Sequence, residues 1–273
     1  MTLNISYVYD LYLVPMNSKK LNTSQVLSNF EIFILWCAVW LHVVNGVLIL
    51  LIFFPFCQQK SKQSHIQKWS CNLLKIFGIK LNVLNEHILP NRSYLLSSNH
   101  ISWIDIHAIN AIKPMRFVAK HEVRGWPIFG WMAQQLGTVF INRSSTRHAA
   151  CVVNDMADVL ITESICIFPE GTSTDGTRLN PFRSNLFEAA VLTKTPIYSL
   201  VIQYIDQKTG LRSEVPAYIG DMGLIESMSA ILKHRHLQAN LSFLLCSDMT
   251  FAVKDRKWLA KRSQEQIADN MTV

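Results

Sequence analysis

The hydrophobic and polar positions of this chain divide it into an apolar N-terminal segment and a longer region of short, alternating runs. Residues 32–56 contain no Lys, Arg, Asp or Glu, and a helix of that length measures about 37 Å, more than the roughly 30 Å of a hydrocarbon core. The segment is apolar on every face, unlike the core helix of a soluble domain. A mostly polar stretch precedes it and no small-residue cleavage site follows, so we predict a membrane helix and not a signal peptide.

The charges that flank the apolar segment indicate its orientation. Four lysines follow it between residues 60 and 75, whereas only Lys19 and Lys20 precede it, at some distance. Because cations are enriched in cytoplasmic loops, we expect the long C-terminal part of the chain to face the cytoplasm.

The stretch after the apolar segment predicts a second helix. Within residues 65–77, the side chains of Trp69, Leu73 and Phe77 share one helical stripe, and lysines lie elsewhere. This pattern is typical of a helix at the membrane interface, and equally of a helix packed on the core of a domain.

From Lys80 onward, short apolar runs rich in Val, Ile and Phe alternate with amphipathic stretches. This alternation predicts an α/β fold with a mixed, largely parallel sheet and crossover helices, in which chemistry collects at the strand ends. The predicted strands are residues 81–84, 94–97, 117–119, 139–141, 166–168, 197–204 and 241–246. The predicted helices are residues 104–112, 129–136, 148–162, 185–193, 224–232 and 257–267.

Composition and charge add two points to this picture. Charged residues make up 16% of the chain, against roughly 25% in soluble domains. This low share agrees with the prediction that one segment of the chain lies in a membrane. The formal net charge of +7 indicates an anionic partner, whether a phospholipid surface, a nucleic acid or a phosphorylated cofactor. The six cysteines are scattered without a CxxC pair, which indicates reduced thiols and neither a disulfide framework nor a zinc site.

The stretch SSNHISWIDIH, residues 97–107, places polar residues where an apolar strand ends. At a strand end, a carboxylate about one helical turn after a histidine can reach back to the imidazole, hold one tautomer and stabilise the imidazolium. Asn99, His100 and Asp105 therefore contain a candidate general base with its orienting carboxylate. The alternative is an ordinary helix start with a capping Asn, an exposed His and a first-turn Asp.

A second polar loop, FPEGTSTDG at residues 168–176, follows another predicted strand. Its proline and glycines force a turn in which backbone N–H groups can face an anion or an oxyanion. Glu170, Thr172 and Ser173 add side-chain donors and acceptors. The same composition also occurs in ordinary loops.

Two cations follow other predicted strands. Arg143 ends the stretch GTVFINR, residues 137–143, and Lys120 ends FVAK. An arginine at a strand exit can bind a phosphate with two parallel hydrogen bonds. A solvated charge at a strand end is the alternative interpretation for both residues.

Together and in this order, these stretches resemble the four sequence blocks of the glycerolipid acyltransferase family, typified by 1-acyl-glycerol-3-phosphate acyltransferases. The resemblance covers residues 97–204, and four blocks in order are far more specific than any one of them. The residues that match are Asn99, His100 and Asp105 in the first block, Gly137, Phe140, Ile141 and Arg143 in the second, Phe168, Pro169, Glu170, Gly171 and Thr172 in the third, and Thr195, Pro196 and Ile197 in the fourth.

Two positions depart from the phosphatidate-forming members of that family. Many of those members have an arginine directly after EGT and an aspartate before the arginine of the second block, where this chain has Ser173 and Asn142. The stretches NHISWIDIH and EGTSTDGTRLNPFRSNLFEAA are more similar to a bacterial branch that includes lyso-ornithine-lipid acyltransferases. Arg178 or Arg183 could replace the missing cation.

The resemblance implies transfer of a fatty acyl group from acyl-CoA or acyl-carrier protein to the free hydroxyl of a lysophospholipid. It favours 1-acyl-glycerol-3-phosphate as acceptor, with phosphatidate as product, and lyso-ornithine lipid is the alternative acceptor. His100 is then the base and Asp105 its orienting group. The oxyanion and acceptor-positioning residues are Glu170, Gly171 and Thr172, and the substrate-binding residues are Asn99, Lys120, Gly137, Arg143, Ser173 and Arg183. This scheme requires no metal and no cofactor besides the acyl thioester.

The resemblance also implies an organisation and a location. Residues 1–30 are a polar tail, residues 31–78 are a membrane helix and an interfacial helix, and residues 79–273 are the acyltransferase domain. The expected partners are the bilayer, a lysolipid and the acyl donor, with no nucleic acid, and the domain lies on the cytoplasmic face, of the inner membrane in a bacterium. Hydrolysis of the thioester and a non-catalytic lipid-binding scaffold remain as alternative functions.

Overall fold

A computed structural model describes residues 27–141, 146–249 and 255–271 of the chain. The helices are α1 (Asn29–Leu48), α2 (Gln59–Phe77), α3 (Asp105–Asn110), α4 (Phe129–Gln135), α5 (Thr146–Leu160), α6 (Glu188–Thr193), α7 (Leu224–His234) and α8 (Arg256–Asn270). The strands are β1 (Ile79–Leu84), β2 (Leu95–Ser98), β3 (Arg116–Lys120), β4 (Val139–Ile141), β5 (Ile165–Ile167), β6 (Ile197–Asp206) and β7 (Leu237–Ser247). Every predicted strand and helix is present, with ends that differ by a few residues.

The strands form one seven-stranded sheet in the order β1-β7-β6-β2-β5-β3-β4. Neighbouring strands are parallel except β6 and β7, which pair antiparallel over their whole length. The sheet is therefore mixed and largely parallel, as the alternation of strands and helices predicted. β2 lies at its centre between β6 and β5, so the residues that follow β2 lie next to those of both neighbours.

Alternate side chains of the central strands enter two apolar cores, one on each face of the sheet, because successive strand residues point to opposite sides. Leu96 of β2 joins the core that contains Phe77 of α2 and Ile104, just before α3. Leu95 joins the opposite core, which contains Met156 of α5 and Leu259 of α8. Burial of each such side chain stabilises the fold by about 1.5–3 kcal/mol before entropy is counted.

The N-terminal apolar segment is a continuous helical run. Ser28 and Glu31 form a reciprocal capping box that starts α1, and the run continues as a π-helical stretch, Ile49–Phe53, and a 3-10 turn, Phe54–Phe56. Among the described residues, Asn29–Phe56 is the one helix that is long and apolar enough to cross a membrane.

One face of α1 contacts the rest of the protein and the other is bare. Val39 and Val43 are buried against the domain. The outward face of α1 and of the π-helical stretch that follows it carries exposed large apolar side chains: Phe30, Phe33, Ile34, Trp40, Leu41, Val44, Leu48, Leu51, Ile52 and Phe53. That face has the composition of a surface that lies in lipid.

The second helix, α2, packs on the core of the domain. Leu73, Leu74 and Phe77 are buried there, and Gln67 donates hydrogen bonds to the carbonyls of Ala111 and Ile112. Residues 65–77 therefore pack on the core, as one of the two interpretations predicted, and the position of this helix at the membrane interface stays a prediction. Gly78 ends α2 in the left-handed conformation (φ 71°) and leads directly into β1.

Candidate active site

His100 lies in the loop between the central strand β2 and α3. Its Nδ1 is 2.9 Å from Oδ2 of Asp105, the first residue of α3. The ring stacks on Phe168, with 4.0 Å between ring centroids and 16° between planes. Because a carboxylate faces Nδ1, the proton of the neutral ring sits on Nδ1 and the Nε2 lone pair is available to accept another proton.

Asp105 is fully buried and its carboxylate accepts hydrogen bonds from four groups. Oδ2 also accepts the backbone N–H groups of Ile101 at 2.8 Å and Ser102 at 2.9 Å. Oδ1 accepts the hydroxyl of Tyr204, from strand β6, at 2.7 Å. These donors hold the carboxylate in one position and compensate for the loss of water around its charge.

Tyr204 is a site residue that the sequence motifs do not contain. It lies 99 residues beyond Asp105, and β6 brings it to the site because β6 pairs with β2. Burial raises the pKa of its hydroxyl well above the usual value, and the Asp105 charge adds to the effect. The hydroxyl is therefore a permanent donor to Asp105. The sequence gives no signal that separates Tyr204 from the other polar residues of β6, which include a second tyrosine, Tyr198.

Asn99 bonds to the neighbouring strand β6, and its predicted substrate contact stays a prediction. Its side chain is fully buried, its Nδ2 donates to the carbonyl of Ile202 at 2.9 Å, and its Oδ1 accepts the N–H of Ile202 at 2.8 Å. Asn99 thus ties the end of β2 to β6 and fixes the backbone from which His100 projects.

Glu170 holds the loop in place with both carboxylate oxygens. Oε1 accepts the backbone N–H of His100 at 2.9 Å, and Oε2 accepts that of Asn180 at 2.8 Å. The residue is 4% exposed, and burial raises its pKa above the ordinary glutamate value. The Glu170 carboxylate thus joins two loops of the site through backbone N–H groups, and its predicted part in positioning the acceptor stays a prediction.

The loop after β5 contains the candidate oxyanion donors. Gly171 adopts φ 76° and donates its N–H to the carbonyl of Phe168 at 3.0 Å. The sequence predicted a free N–H at this position, whereas this N–H is already hydrogen-bonded within the turn. Thr172 is exposed and lines a cavity beside His100, and the hydrogen bonds of the described residues do not engage its N–H. The N–H of Thr172 is therefore the better oxyanion candidate. Ser173 lines the same cavity and donates its hydroxyl to the carbonyl of Tyr218.

Two of the three predicted substrate-binding cations, Lys120 and Arg183, lie beside the site. Lys120 ends β3 and pairs in register with Ile141 of β4, and Lys120 and Arg183 both line the cavity beside His100. Arg143 follows β4 but lies outside the described residues, as does Asn142.

Gly137 has a structural role in the turn between α4 and β4, and its predicted substrate contact stays a prediction. It follows α4 with φ 75°, and a Cβ atom there would lie 2.9 Å from the guanidinium of Arg116. Only glycine adopts this conformation without strain. Its N–H donates to the carbonyl of Gln134, which ends the helix before β4.

A cavity of about 500 Å³ opens beside His100 and extends between α1, α2, α3 and α4. Its wall is mostly apolar and includes Val43 of α1, Leu50 of the π-helical stretch, Leu73 of α2, and Phe129 and Met132 of α4. Because α1 supplies part of the wall, the cavity lies directly beside the helix that is apolar enough to cross a membrane.

Comparisons with known proteins agree on one class. The Acyltransferase family model matches residues 80–203. A 1-acyl-sn-glycerol-3-phosphate acyltransferase of Neisseria gonorrhoeae is 34% identical over 183 residues, which cover 67% of this chain and 69% of the relative. A lyso-ornithine lipid O-acyltransferase of Rhizobium meliloti is 31% identical over 227 residues, 76% of this chain and 75% of the relative.

The fold has a match among solved structures as well. The crystal structure of the 1-acyl-sn-glycerophosphate acyltransferase PlsC from Thermotoga maritima has a TM-score of 0.61 and 18% identity, and the match covers 88% of this chain and 94% of that one. The fold and the relatives together identify the class of this protein as an α/β acyltransferase. The chain belongs to the acyltransferase family that contains the Neisseria and Rhizobium enzymes. Its apolar helix and these relatives together indicate membrane association.

Proposed function

We propose that the protein transfers a fatty acyl group from acyl-CoA or acyl-carrier protein to the free hydroxyl of 1-acyl-glycerol-3-phosphate. The observation that carries this proposal is the His100–Asp105 pair at the mouth of an apolar cavity of about 500 Å³. A base beside an apolar cavity suits a reaction between an alcohol and a fatty acyl thioester, because the hydrocarbon chain needs an apolar environment and the alcohol needs a base.

His100 acts as the general base in this proposal. Nε2 takes the proton of the acceptor hydroxyl as the oxygen attacks the thioester carbonyl, and Asp105 stabilises the imidazolium that forms. The new C–O bond gives a tetrahedral oxyanion, to which the N–H of Thr172 donates a hydrogen bond. When the C–S bond breaks, His100 returns the proton to the leaving thiolate. No metal and no cofactor takes part besides the acyl thioester.

The anionic head of the acceptor contacts Lys120 and Arg183 in this proposal, with Arg143 as a further cation. Lys120 and Arg183 are exposed and line the mouth of the cavity, so they are available to a phosphate that stays in water while the chains lie in apolar surroundings. Asn99, Glu170 and Gly137 fix the backbone of the site in this proposal.

Lyso-ornithine lipid is the second candidate acceptor. The supporting observation is Ser173, which stands where many phosphatidate-forming relatives have an arginine, together with the Rhizobium relative that matches 75% of its own length. An acceptor without a phosphate needs one cation fewer at this position.

The test is a set of transfer assays with purified protein in lipid vesicles. Acyl-CoA and acyl-acyl-carrier protein are each offered with 1-acyl-glycerol-3-phosphate and with lyso-ornithine lipid, and products are identified by mass spectrometry. We expect diacyl product from 1-acyl-glycerol-3-phosphate. Product from lyso-ornithine lipid alone would favour the second acceptor, release of free fatty acid alone would make the protein a hydrolase, and no turnover of any pair would favour a lipid-binding scaffold.

The His100→Ala variant tests the catalytic assignment. It removes the base, and we expect a loss of roughly 100- to 10,000-fold in turnover. His87→Ala is the matched control, because His87 is an exposed histidine in the 3-10 turn Glu86–Ile88 and does not line the cavity. Equal turnover of both variants would contradict the role of His100.

We also propose that the catalytic domain lies on the cytoplasmic face of the membrane, which is the inner membrane in a bacterium. The support is the lysine-rich stretch directly after the apolar helix, because cations of this kind stay on the cytoplasmic side. A site on that face lets a lysolipid enter from the bilayer while a soluble thioester arrives from the cytosol.

A further inference from the structure

Two separate loops carry the proposed base and the proposed oxyanion donor. His100 lies in the loop after β2, and the N–H of Thr172 lies in the loop after β5. The base and the donor act on neighbouring atoms of one transition state, and a shift of about 1 Å between such groups can cost about 100-fold in rate. Because the N–H of Thr172 makes no hydrogen bond within the described residues, its position depends on the residues beside it.

Direct contacts join the two loops on both sides of Thr172. Oε1 of Glu170, two residues before Thr172, accepts the N–H of His100 at 2.9 Å. The N–H of Thr174, two residues after Thr172, donates to the carbonyl of His100 at 2.8 Å. Ser173, which lies between Thr172 and Thr174, has a different partner.

That partner is Tyr218, which lies between β6 and α7, outside the four sequence blocks. The N–H of Tyr218 donates to the carbonyl of Ile101 at 2.9 Å, in the loop of His100. Its carbonyl accepts the hydroxyl of Ser173, the residue directly after Thr172. The main chain of Tyr218 therefore bridges the loop of the base and the loop of the oxyanion donor.

The segment that presents Tyr218 is anchored to the sheet. The N–H of Ser213 donates to the carbonyl of Tyr204 on β6 at 2.8 Å. Ala217, directly before Tyr218, is buried in the apolar core. Because the segment is held at both points, the carbonyl of Tyr218 is a fixed acceptor against which the Ser173 hydroxyl can hold its own loop.

We propose that Ser173 is a positioning residue for the oxyanion donor, because its bond to the Tyr218 carbonyl holds the N–H of Thr172 toward the reacting carbonyl. This inference rests on the proposed acyl transfer, in which that N–H binds the oxyanion. A hydroxyl has one proton, and here the proton is used on a carbonyl of the protein. The role is distinct from the substrate contact that the sequence predicts for Ser173, and kcat and KM separate the two.

The Ser173→Ala variant tests the bond to Tyr218. Ser173 is half-buried and alanine needs less space, so the variant should fold. Turnover of the purified full-length protein is measured in lipid vesicles with acyl-CoA and varied 1-acyl-glycerol-3-phosphate. We expect kcat to fall by about tenfold, less than the roughly 100- to 1,000-fold cost of losing an oxyanion donor outright. KM for the acceptor should stay the same, because the lost interaction acts only in the transition state.

Two further variants show whether the hydroxyl itself is responsible. Ser173→Thr keeps a hydroxyl at the same position and should recover most of the parent's kcat. Thr177→Ala is the matched control, because Thr177 is exposed in the same loop and its hydroxyl bonds to the carboxylate of Asp175. This control should keep the parent's kcat, and its thermal unfolding midpoint should be close to that of Ser173→Ala.

The outcomes separate this inference from the proposed function. A higher KM for the acceptor at unchanged kcat would make Ser173 a substrate contact and overturn the inference. A Ser173→Ala variant as fast as the parent, or a Ser173→Thr variant as slow as Ser173→Ala, would overturn it as well. Each of these results leaves acyl transfer standing, whereas absence of diacyl product from the parent protein would overturn the proposed function itself.

Discussion

Asp105 is the residue on which the contacts of the site converge. A histidine five positions before it contacts Oδ2, two backbone N–H groups share that oxygen, and Tyr204 occupies Oδ1. The histidine and aspartate could be predicted from their spacing, because they belong to one turn. Tyr204 could not, because its position depends on which strands are neighbours, and that is decided by packing across the whole sheet.

The Tyr204→Phe variant tests the contact to Asp105. The change leaves one oxygen of a buried carboxylate unpaired, which costs about 1–3 kcal/mol of stability, and we expect turnover to fall by about tenfold because His100 loses its fixed partner. Urea unfolding and kcat are measured. Tyr94→Phe is the matched control, because the buried hydroxyl of Tyr94 has no hydrogen-bond partner in the described residues. Equal effects of the two variants would contradict the assignment.

Glu170 gives a prediction for the pH dependence of stability. Burial raises its folded-state pKa above the ordinary value of 4.5, so the folded protein binds this proton more tightly than the unfolded chain. The stabilising contribution is therefore complete below 4.5 and is lost as the pH rises through the folded pKa.

The measurement is the free energy of unfolding at several pH values for the parent protein, Glu170→Gln and Glu86→Gln. We expect Glu170→Gln to lack the decline in stability between 4.5 and neutral pH. Glu86 is exposed, and its variant should follow the parent. Parallel curves for all three proteins would show that the Glu170 carboxyl is not perturbed.

At the scale of elements, the crossing of α1 and α2 shapes the cavity. Gly46 of α1 faces the indole of Trp69 on α2, and a Cβ atom at Gly46 would lie 2.6 Å from its Nε1. The two helices are joined further by His42, whose carbonyl accepts that indole N–H at 3.1 Å and whose Nε2 lies 2.9 Å from the carbonyl of Trp69. Small residues are typical where membrane helices approach closely.

The Gly46→Leu variant is expected to separate this crossing. The added side chain displaces the Trp69 indole and breaks its bond to His42, which should cost about 1–3 kcal/mol and lower the thermal unfolding midpoint. Val44→Leu is the control, because Val44 is 53% exposed on the outward face of α1. An unfolding midpoint for Gly46→Leu that equals the control's would contradict the tight crossing.

The elements themselves could be predicted from the sequence to a large degree, since the apolar runs after Lys80 carry a clear period. The order of the strands could not, nor could the antiparallel pairing of β7, because both depend on contacts between distant segments. The hydrogen bond made by the Gly171 N–H could not be predicted from the sequence either. The composition of FPEGT predicts a turn, but only the folded structure shows that the Gly171 N–H donates to the carbonyl of Phe168 within that turn.

At the scale of the whole molecule, the bare apolar face of α1 and the net charge of +7 both favour association with a membrane. The apolar face suits lipid, and the lysines of the following helix suit an anionic headgroup layer, which in the proposed orientation is on the cytoplasmic side. The orientation of the domain is therefore open to a direct chemical test with native cysteines.

Cys151 on α5 is exposed and provides that test. A membrane-impermeant maleimide should label Cys151 in inside-out membrane vesicles and leave it unlabelled in right-side-out vesicles, as read from its peptide by mass spectrometry. Cys166 and Cys246 are buried and serve as internal controls that stay unlabelled in the folded protein. Labelling of Cys151 in right-side-out vesicles would reverse the proposed orientation.

The position of β1 at the edge of the sheet has a consequence for synthesis. Its sole sheet partner among the described strands is β7, and Asn82 pairs with Asn240, 158 residues later in the chain. During translation, β1 is therefore synthesised soon after the apolar helix and long before β7, the strand with which it pairs. Until β7 has been synthesised, the backbone of β1 is unpaired beside the bilayer, so completion of this edge of the sheet must wait for a strand that comes much later in the chain.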